Sequence, residues 1–514
     1  MKNFKLTAVL FLLMLVIFIP TANAEIITIF HTNDLHARVK ADDDDGKTIG
    51  LAAMNALVKK EKSHADFVLW LDAGDTFHGM PYMNISRGEG MVKLLNASEL
   101  DTFVPGNHEF NYGTKRVEEI SKEVDFDFIC ANIVKKNTTE RIFQPYKIYE
   151  TPEGTKIGIF GLITPETRYK AAPENVESID FLDPVETARE MVEILRPQCN
   201  IVIGLMHMGI DRYSEYTSDI IAAEVRGIDL IVDGHSHTEL DEGLEIGNTV
   251  IVQTGMHGYR FGRIEIEVQN HKIISETLEL LDKNDIRSMI PRPDDNILQL
   301  LEKIEHETDQ LFDTEIGRSD RRLENNSLIM CRRETELGDL CADAFRWKTG
   351  ADIAVVNGGG IRSHIPAGKI TYRDIAKIYP FDNRIQLVEI NGKMIREMLN
   401  FSISQYPKIF NGFLQVSGIR FSYDARKDIG SQVGDIYIGK ELLDESKIYT
   451  MAVSDFLLQG GDGYDMLKSC KVLKDFGTCD EAMRDFVEQV GVKKIEIGRI
   501  KLQDSDSEDD LAVA

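Results

Sequence analysis

Short apolar runs alternate with amphipathic segments along the first half of the chain. The runs Phe67–Leu71 and Ile201–Leu205 have the length and composition of buried strands. Segments with apolar residues at helical spacing, such as Leu51–Lys60 and Pro184–Leu195, lie between such runs. Strands that alternate with helices are typical of layered α/β folds. We therefore predict an α/β domain over residues 25–270.

The pattern changes after this domain. Residues 271–311 are charged and amphipathic, with Leu298, Leu301 and Ile304 at helical spacing, which predicts a linker and a connecting helix. Strand and helix patterns return over residues 312–502 and predict a second α/β domain. A chain of 514 residues is too long for one ordinary hydrophobic core, so two domains also agree with its length.

The N-terminus has the pattern of a secretory signal peptide. Lys2 and Lys5 precede the apolar run Leu6–Ile19, and a cleavage site of small residues ends at Ala24. The run is short for a transmembrane helix, which needs about 20 residues. We expect residues 1–24 to be removed on export, which leaves a periplasmic or extracellular protein without stable membrane insertion. An uncleaved anchor helix is the alternative.

The charge of the chain limits its partners. The formal net charge is −26 and the pI is about 4.9, and residues 503–514 form a predicted acidic tail. Such a surface repels nucleic acid polymers and anionic lipid over long range. A small phosphate ester can still bind where metal ions and a few arginines make a local positive pocket.

Six cysteines in an exported chain permit disulfides without forming a dense framework. Cys331 with Cys341, and Cys470 with Cys479, are close enough in sequence to pair. None of the six has zinc-finger spacing.

Polar residues follow the apolar runs at six places and carry the candidate chemistry. They are Asn33-Asp34-Leu35-His36, Asp72-Ala73-Gly74-Asp75, Gly106-Asn107-His108-Glu109, His207, Gly234-His235-Ser236-His237 and Thr254-Gly255. Strand ends in α/β folds meet at one edge of a sheet, where ligands bind. Carboxylate, amide and imidazole ligands without thiolate suit Mn, Zn, Fe or Co better than Mg or Ca. A carboxylate shared by two ions would hold them about 3.5–4 Å apart, where they activate a water molecule.

These motifs, in this order, resemble the calcineurin-like metallophosphoesterases, and more narrowly the secreted 5′-nucleotidase and UDP-sugar hydrolase family. The resemblance covers nearly the whole mature chain. It implies a layered α/β/β/α metallophosphoesterase domain, followed by a second α/β domain that binds substrate. It further implies a first metal held by Asp34, His36, Asp75 and His237, and a second held by Asp75, Asn107, His207 and His235. His108 would be no ligand; it would face the transferring phosphoryl group and stabilise its charge or assist the leaving oxygen.

The second domain carries the substrate signature of the same family. In Asn357-Gly358-Gly359-Gly360-Ile361-Arg362, consecutive glycines let backbone approach a ligand, and the arginine suits phosphate. The resemblance implies substrate contacts from Asn357, Gly359, Arg362, Phe381, Phe456 and Asp462. The two phenylalanines would stack on the faces of the base, and the aspartate would lie near the ribose hydroxyls. Stacking tolerates any base, so broad nucleotide specificity is expected.

One position departs from the family. The residue three after the catalytic histidine is often Asp there, and here it is Asn111, which we group with His108 as catalytic. Asparagine can orient an imidazole but cannot stabilise imidazolium by charge. Either His108 is less basic, or another acid supplies its partner. An asparagine here also resembles the branch of 2′,3′-cyclic-nucleotide 2′-phosphodiesterases with 3′-nucleotidase activity.

The remaining histidines have no ligand spacing, although one of them, His257, follows Thr254-Gly255 closely enough to line the cleft. His31, His64, His78 and His364 show no ligand spacing either.

We therefore expect an exported enzyme that hydrolyses small nucleotide phosphate esters with two divalent ions, a 5′-nucleotidase that could also cleave UDP-sugars. The cyclic phosphodiesterase is one alternative. A thiosulfohydrolase shares the metal motifs but leaves Phe381 and Phe456 without a task. A secreted protein that binds nucleotides without catalysis is the alternative of another class. The nucleotide is expected between the domains, which by hypothesis rotate about the helix near Asn296–Leu311; the oligomeric state stays open.

Overall fold

The computed structural model describes residues 24–41, 46–171, 173–211, 214–380, 383–493, 495 and 497–503. Three predictions fall outside these residues: the signal peptide apart from Ala24, the acidic tail beyond residue 503, and the stacking role of Phe381.

The first half of the chain folds into two stacked sheets. Its strands are β1 (Glu25–Thr32), β2 (Phe67–Asp72), β3 (Thr102–Phe103), β4 (Asp127–Phe128), β5 (Ile133–Lys135), β6 (Tyr146–Glu150), β7 (Lys156–Ile163), β8 (Ile179–Phe181), β9 (Ile201–His207), β10 (Leu230–Val232), β11 (Leu244–Ile246), β12 (Thr249–Val252), β13 (Phe261–Gln269) and β14 (Lys272–Leu281). Sheet A has the order β14-β13-β1-β2-β3-β4, and sheet B has the order β11-β12-β10-β9-β7-β6. Strands β5 and β8 pair separately.

Helices cover the outer faces of both sheets. They are α1 (Leu51–Lys62), α2 (Pro81–Asn84), α3 (Glu89–Asn96), α4 (Thr114–Glu123), α5 (Thr167–Lys170), α6 (Pro173–Val176), α7 (Pro184–Leu195) and α8 (Ser218–Glu224). Apolar residues of both sheets, such as Ile29, Leu71, Ile203 and Val232, are buried between them. Burial of this apolar surface holds the sheets together. The predicted α/β/β/α layering is confirmed.

The strands that precede the polar motifs run parallel within each sheet. β1 pairs parallel to β2 and β2 to β3 in sheet A. In sheet B, β9 pairs parallel to β10 and β10 to β12. Their carboxyl ends therefore lie at one edge of each sheet, and the stacking of the sheets brings the two edges together.

Part of the predicted linker is a strand. Residues 272–281 form β14, which pairs antiparallel with β13 and extends sheet A. Exposed residues such as Lys272, Thr277 and Glu279 alternate with less exposed ones along it, as on a half-exposed edge strand. This short alternation made the segment resemble a polar linker in the sequence.

Helices α9 (Lys283–Met289) and α10 (Asp295–Phe312) follow. The buried residues Ile297, Leu301 and Ile304 of α10 belong to the core of the first domain. At its other end, Phe312 stacks on Tyr372 of the second domain, with ring centroids 5.0 Å apart. The predicted connecting helix thus packs against both domains.

The second domain is built on a five-stranded and a four-stranded sheet, in the described part of the chain. Its strands are β15 (Glu315–Ser319), β16 (Ile353–Asn357), β17 (Gly368–Thr371), β18 (Arg384–Asn391), β19 (Leu414–Ser417), β20 (Ile419–Tyr423), β21 (Val433–Ile438), β22 (Glu441–Leu442), β23 (Ile448–Ser454), β24 (Lys471–Thr478) and β25 (Ile500–Leu502). Sheet C has the order β19-β16-β23-β18-β24, and sheet D has the order β22-β21-β20-β25.

The helices of this domain are α11 (Ser327–Met330), α12 (Glu336–Thr349), α13 (Tyr372–Ile378), α14 (Gly392–Ile403), α15 (Asp455–Leu458) and α16 (Cys479–Gln489). α12, α13 and α16 share one core, and α14 packs into the core that lies beside sheets C and D. The six cysteines are all free thiols, so neither pairing that their spacing permitted is present. None of the described helices has both the length and the apolarity that crossing a bilayer requires.

Candidate metal centre and nucleotide pocket

All seven predicted metal ligands lie at the shared edge of sheets A and B. Asp34 and His36 follow β1, Asp75 follows β2, Asn107 follows β3, His207 is the last residue of β9, and His235 and His237 follow β10. Strand order and sheet stacking together account for this convergence, because each ligand lies at the carboxyl end of a parallel strand and the stacked sheets bring the two edges together.

One group of ligand atoms forms around Asp34. Nε2 of His237 lies 3.3 Å from Oδ1 of Asp34 and 3.2 Å from Nε2 of His36. Imidazole nitrogens and a carboxylate oxygen converge in this way when they are ligands of one cation. Asp34, His36 and His237 can therefore hold one metal ion.

A second group forms around Asp75. Nε2 of His207 lies 3.1 Å from Oδ2 of Asp75 and 3.3 Å from Nδ1 of His235. Asp75 also lies within ligand distance of His36 and His108, so it stands between the two groups.

Unpartnered buried atoms show that the site fits divalent metal ions. Oδ1 of Asp34, Oδ1 of Asn107 and Nε2 of His235 are buried and have no hydrogen-bond partner among the described residues. A buried polar atom without a partner costs about 1–3 kcal/mol, so a native site rarely keeps several of them together. Oxygen and nitrogen donors without sulfur suit a borderline cation.

The protonation of the ligands differs from residue to residue. Burial lowers the pKa of His36 and that of His235 to about 4, so both imidazoles are neutral at pH 7. Burial also disfavours the charged form of His207, but the Asp75 carboxylate beside it raises its pKa to about 10. Burial alone would raise the pKa of Asp75, yet His207 and His108 hold it well below its usual range. A metal ion must therefore displace a proton from His207.

The backbone of the ligand residues is strained. Asp34, His36, Asp75, His235 and His237 have φ angles of 50°, 48°, 54°, 76° and 53°. Residues other than glycine seldom occupy this left-handed region, at a cost of about 1–3 kcal/mol each, and such residues cluster at functional sites. The surrounding fold must supply the energy that keeps five ligands in this conformation.

Glu109 supplies part of that energy. Its carboxylate accepts hydrogen bonds from the backbone N–H groups of Gly106, Asp75, Thr76 and Phe77, at 2.6–2.9 Å. The loops after β2 and β3 are thereby tied to one buried side chain. Gly106 permits their close approach, because a Cβ there would collide with Oδ1 of Asp75.

His108 stands beside the metal ligands. Its backbone N–H donates to Oδ1 of Asp75 at 2.7 Å, and its Nε2 lies 3.8 Å from Oδ2 of the same residue. Nδ2 of Asn111 lies 3.2 Å from Nδ1 of His108, so the predicted pair is in contact. Burial, with Arg384 of the second domain nearby, lowers the pKa of His108 well below its usual value.

A pocket of about 250 Å³ in the second domain contains five of the six predicted substrate residues. It is lined by Asn357, Gly359, Gly360, Arg362, Asn383, Asn411, Phe456 and Asp462. Nδ2 of Asn357 donates to Oδ2 of Asp462 at 2.8 Å. Nη1 of Arg362 donates to the carbonyl of Gly359 at 3.1 Å. The Phe456 ring is 39% exposed at the pocket.

Several residues at these sites escaped the sequence analysis. Glu109 was visible as part of its motif but had no assigned task, and Asn411 lies in a loop with no motif. His257, which the sequence analysis placed at the cleft without a role, lies near the metal ligands, with its ring centroid 5.6 Å from that of His36. Arg384 is placed near His108 by the packing of the domains, which short motifs do not report.

Comparison with known proteins gives two family matches. Residues 27–239 match the calcineurin-like phosphoesterase family. Residues 315–469 match the family described as 5′-nucleotidase, C-terminal domain. The two matches cover, in order, the regions that hold the metal ligands and the pocket.

Similar sequences extend over nearly the whole chain. The chain is 28% identical over 517 residues to the 5′-nucleotidase of Bos taurus, covering 90% of this chain and 88% of that protein. It is 28% identical over 506 residues to the 5′-nucleotidase of Vibrio cholerae, covering 90% of each. It is 29% identical over 531 residues to the trifunctional nucleotide phosphoesterase protein YfkN of Bacillus subtilis. That match covers 92% of this chain but only 35% of YfkN, so the chain spans about a third of that relative.

Solved structures agree with these matches. The 5′-nucleotidase precursor of Thermus thermophilus is 28% identical with a TM-score of 0.55, and the match covers 93% of this chain and all of that one. The NAD nucleotidase of Haemophilus influenzae is 20% identical with a TM-score of 0.77, covering 94% of this chain and all of that one. The second likeness shows that the fold of both domains of this chain is also found in that solved structure.

Proposed function

This chain belongs to the 5′-nucleotidase family of metal-dependent phosphoester hydrolases, and we propose that it is an exported enzyme that removes phosphate from nucleoside 5′-phosphates. One observation carries the proposal: a full set of ligand side chains converges beside His108 in the first domain, while the second domain offers a pocket with an arginine, an aspartate and an aromatic ring. Binding of a nucleotide without hydrolysis would not need the ligand side chains beside His108.

The first domain would do the chemistry. Asp34, His36, Asp75 and His237 would hold one divalent ion, and Asp75, Asn107, His207 and His235 a second, with Asp75 shared. Bound there, the ions would activate a water molecule and polarise the phosphoryl oxygens. His108 would donate a hydrogen bond to the phosphoryl group or to the leaving oxygen, because it lies beside Asp75 without a ligand task of its own. Mn, Zn, Co and Fe all fit these donors.

The second domain would hold the nucleotide. Arg362 would pair with phosphate oxygens, since a guanidinium offers a fork of donors that matches them. The hydrogen bond between Asn357 and Asp462 fixes both side chains at the pocket wall, where Asp462 would accept from the ribose hydroxyls. Phe456 would stack on the base, with Phe381 on its other face, and stacking does not select among bases.

The test is phosphate release from purified protein after its metals are stripped and Mn or Zn is added back. The substrates are 5′-AMP, 3′-AMP, UDP-glucose and 2′,3′-cyclic AMP, the last assayed with added phosphatase. We expect 5′-AMP to be turned over fastest, and only with metal present. Binding of AMP without any hydrolysis would establish a non-catalytic nucleotide-binding protein instead.

A second candidate activity follows from one contact. Asn111 faces His108 with an amide where the family often has a carboxylate, as in the 2′,3′-cyclic-nucleotide 2′-phosphodiesterase branch. The same assay separates the two, because that branch would turn over the cyclic substrate and 3′-AMP faster than 5′-AMP.

Export is tested separately. We expect the mature protein to begin after Ala24 and to appear in the periplasm or the medium when the whole chain is expressed in a bacterium. N-terminal sequencing of the fractionated protein checks this, and a chain that keeps its first residues in the membrane fraction would indicate the anchor helix instead.

A further inference from the structure

A line of side chains connects His108 to the second domain. Nδ2 of Asn111 lies 3.2 Å from Nδ1 of His108 and 3.3 Å from Nδ1 of His78. On the other side of the His78 ring, Nε2 lies 3.4 Å from Oε2 of Glu481, an ion-pair contact that lacks the geometry of a hydrogen bond in this structure. Glu481 stands in the first turn of α16, so the last contact joins the two domains.

We propose that Glu481, His78 and Asn111 are positioning residues that hold His108 with its proton on Nε2, with Glu481 as the acidic residue of the set. The inference rests on the proposed function only for the task of His108.

The hydrogen-bonding capacity of each group determines which atom donates and which accepts at each contact of the line. Glu481 is ionised, because His78 and the neighbouring arginines hold its pKa well below the usual range although burial alone would raise it. A carboxylate only accepts hydrogen bonds, so it favours the form of His78 with a proton on Nε2. In the ring form with its single proton on Nε2, Nδ1 is an acceptor.

Asn111 passes this preference on to His108. Its amide nitrogen has two N–H groups and lies within reach of Nδ1 of both histidines, so it donates one hydrogen bond to each ring. His108, accepting at Nδ1, keeps its own proton on Nε2, the ring nitrogen on the side of Asp75. From there it can donate to the reacting group.

The reversed amide fits less well. If Oδ1 of Asn111 faced both rings, His78 would carry its proton on Nδ1. Its unprotonated Nε2 would then face the Glu481 carboxylate, and two acceptors would lie against each other. The His78 ring is fully buried, so water cannot easily relieve that repulsion. Glu481 therefore decides which way the Asn111 amide points.

The line also makes catalysis depend on the docking of the domains. His78 and Asn111 belong to the first domain and Glu481 to the second. His108 is held in this form only while α16 lies against His78. Closure of the nucleotide between the domains and alignment of His108 would then be parts of one event.

The first experiment replaces Glu481 with glutamine in the metal-loaded protein. Glu481→Gln keeps the shape but offers an amide nitrogen as well as an oxygen, so it no longer selects one form of His78. We expect kcat for 5′-AMP to fall about tenfold, less than the ~10²–10⁴ of a complete general acid or base. KM and metal content should not change. Glu488→Gln, an exposed position in the same helix, is the matched control.

A second variant separates positioning from a merely structural task. Asn111→Asp puts a carboxylate directly against His108, as in much of the family. In that background Glu481→Gln should change kcat by less than about twofold, because the new carboxylate accepts from Nδ1–H of His108 and fixes that ring whatever form His78 takes. The same tenfold loss in both backgrounds would make Glu481 structural and would overturn the proposal. A rise in kcat for Glu481→Gln would do so too, since the contact would then hold the domains in an unproductive arrangement.

A spectroscopic readout is independent of activity. In zinc-loaded protein labelled with ¹⁵N-histidine, two-bond ¹H–¹⁵N correlations distinguish a proton on Nε2 from one on Nδ1, and His108→Gln assigns the signal. We expect the Nε2 form in the wild type and a mixture in Glu481→Gln. The Nδ1 form in the wild type would contradict the proposal. If no nucleotide is hydrolysed, the proposed function is wrong. This measurement would still show whether Glu481, His78 and Asn111 hold the proton of His108 on Nε2.

Discussion

The metal centre and the nucleotide pocket are built in opposite ways. At the metal centre, five ligands have strained backbone, the ligand atoms are largely buried, and Glu109 ties two loops together. The pocket in the second domain is held by side chains: Asn357 bonds to Asp462, Arg362 bonds to a backbone carbonyl, and Phe456 is 39% exposed. Rigidity is concentrated where charge must be placed accurately.

This difference indicates how each site should respond to change. A buried ligand that two ions would share has no substitute, because neighbouring groups are fixed by the same hydrogen bonds. A partly exposed ring contributes contact area, and a nucleotide that loses it keeps its phosphate and ribose contacts. We therefore expect abrupt losses at the metal centre and graded ones at the pocket.

The largest effect is expected for Asp75→Asn. The change removes the charge that stands between both ligand groups, so we expect metal content to fall and activity to drop by more than the ~10²–10⁴ of a single acid or base. Metal analysis and phosphate release measure the two effects. Asp66→Asn, at an exposed position, is the control. Full metal content in Asp75→Asn would show that the metal centre tolerates change, and the expected contrast between abrupt losses there and graded losses at the pocket would be wrong.

The next effect is expected for His108→Gln. Because His108 has no assigned ligand task, kcat should fall by ~10²–10⁴ while metal content stays full. His64→Gln, at an exposed histidine, should behave like the wild type. Loss of metal from His108→Gln would instead make this residue a ligand.

The affinity of the ligand group around Asp75 for metal should depend on pH. In metal-free protein the pKa of His207 is about 10, so a proton must leave before that imidazole binds a metal. Each unit of pH between 6 and 8 should therefore raise the affinity about tenfold through this one group. Calorimetry in buffers of different ionisation enthalpy measures the protons released. The nucleotide pocket, tested with adenosine, should show no comparable slope.

The smallest effect is expected for Phe456→Ala. Stacking on a base contributes about 1–3 kcal/mol, and the exposed ring favours the lower end, so KM for 5′-AMP should rise about tenfold with little change in kcat. Ile429→Ala, at a 75% exposed position in the same domain, is the control. A fall in kcat as large as that of His108→Gln would mean that the pocket is as rigid as the metal centre.

Much of the metal centre could be predicted because its geometry is local. Each ligand lies at the carboxyl end of a strand, so the order of apolar runs and polar residues already places Asp34, Asp75 and His207 at strand ends where ligands bind. The substrate residues were predictable for a similar reason, since the loop Asn357–Arg362 follows β16.

Other features depend on packing that no short pattern reports. The strands that carry the polar motifs are divided between two sheets, and the sequence does not show this division. The carboxyl ends of the two groups of parallel strands meet only after the sheets stack. Strand β14 was taken for a linker, since an edge strand keeps charged residues on its exposed face. The sequence analysis left open an acid that would replace the missing aspartate, but Glu481 lies 370 residues from Asn111, and only the docking of the domains brings them near.

The metal centre also has a consequence for biogenesis. Asp34 and His237 face each other across 3.3 Å, yet almost the whole first domain lies between them in the chain. A nascent chain that ends before residue 235 contains neither complete ligand group, so the centre can form only after nearly the whole first domain has been made. The compartment in which the chain completes its folding, through the metals available there, therefore sets which ions the protein carries.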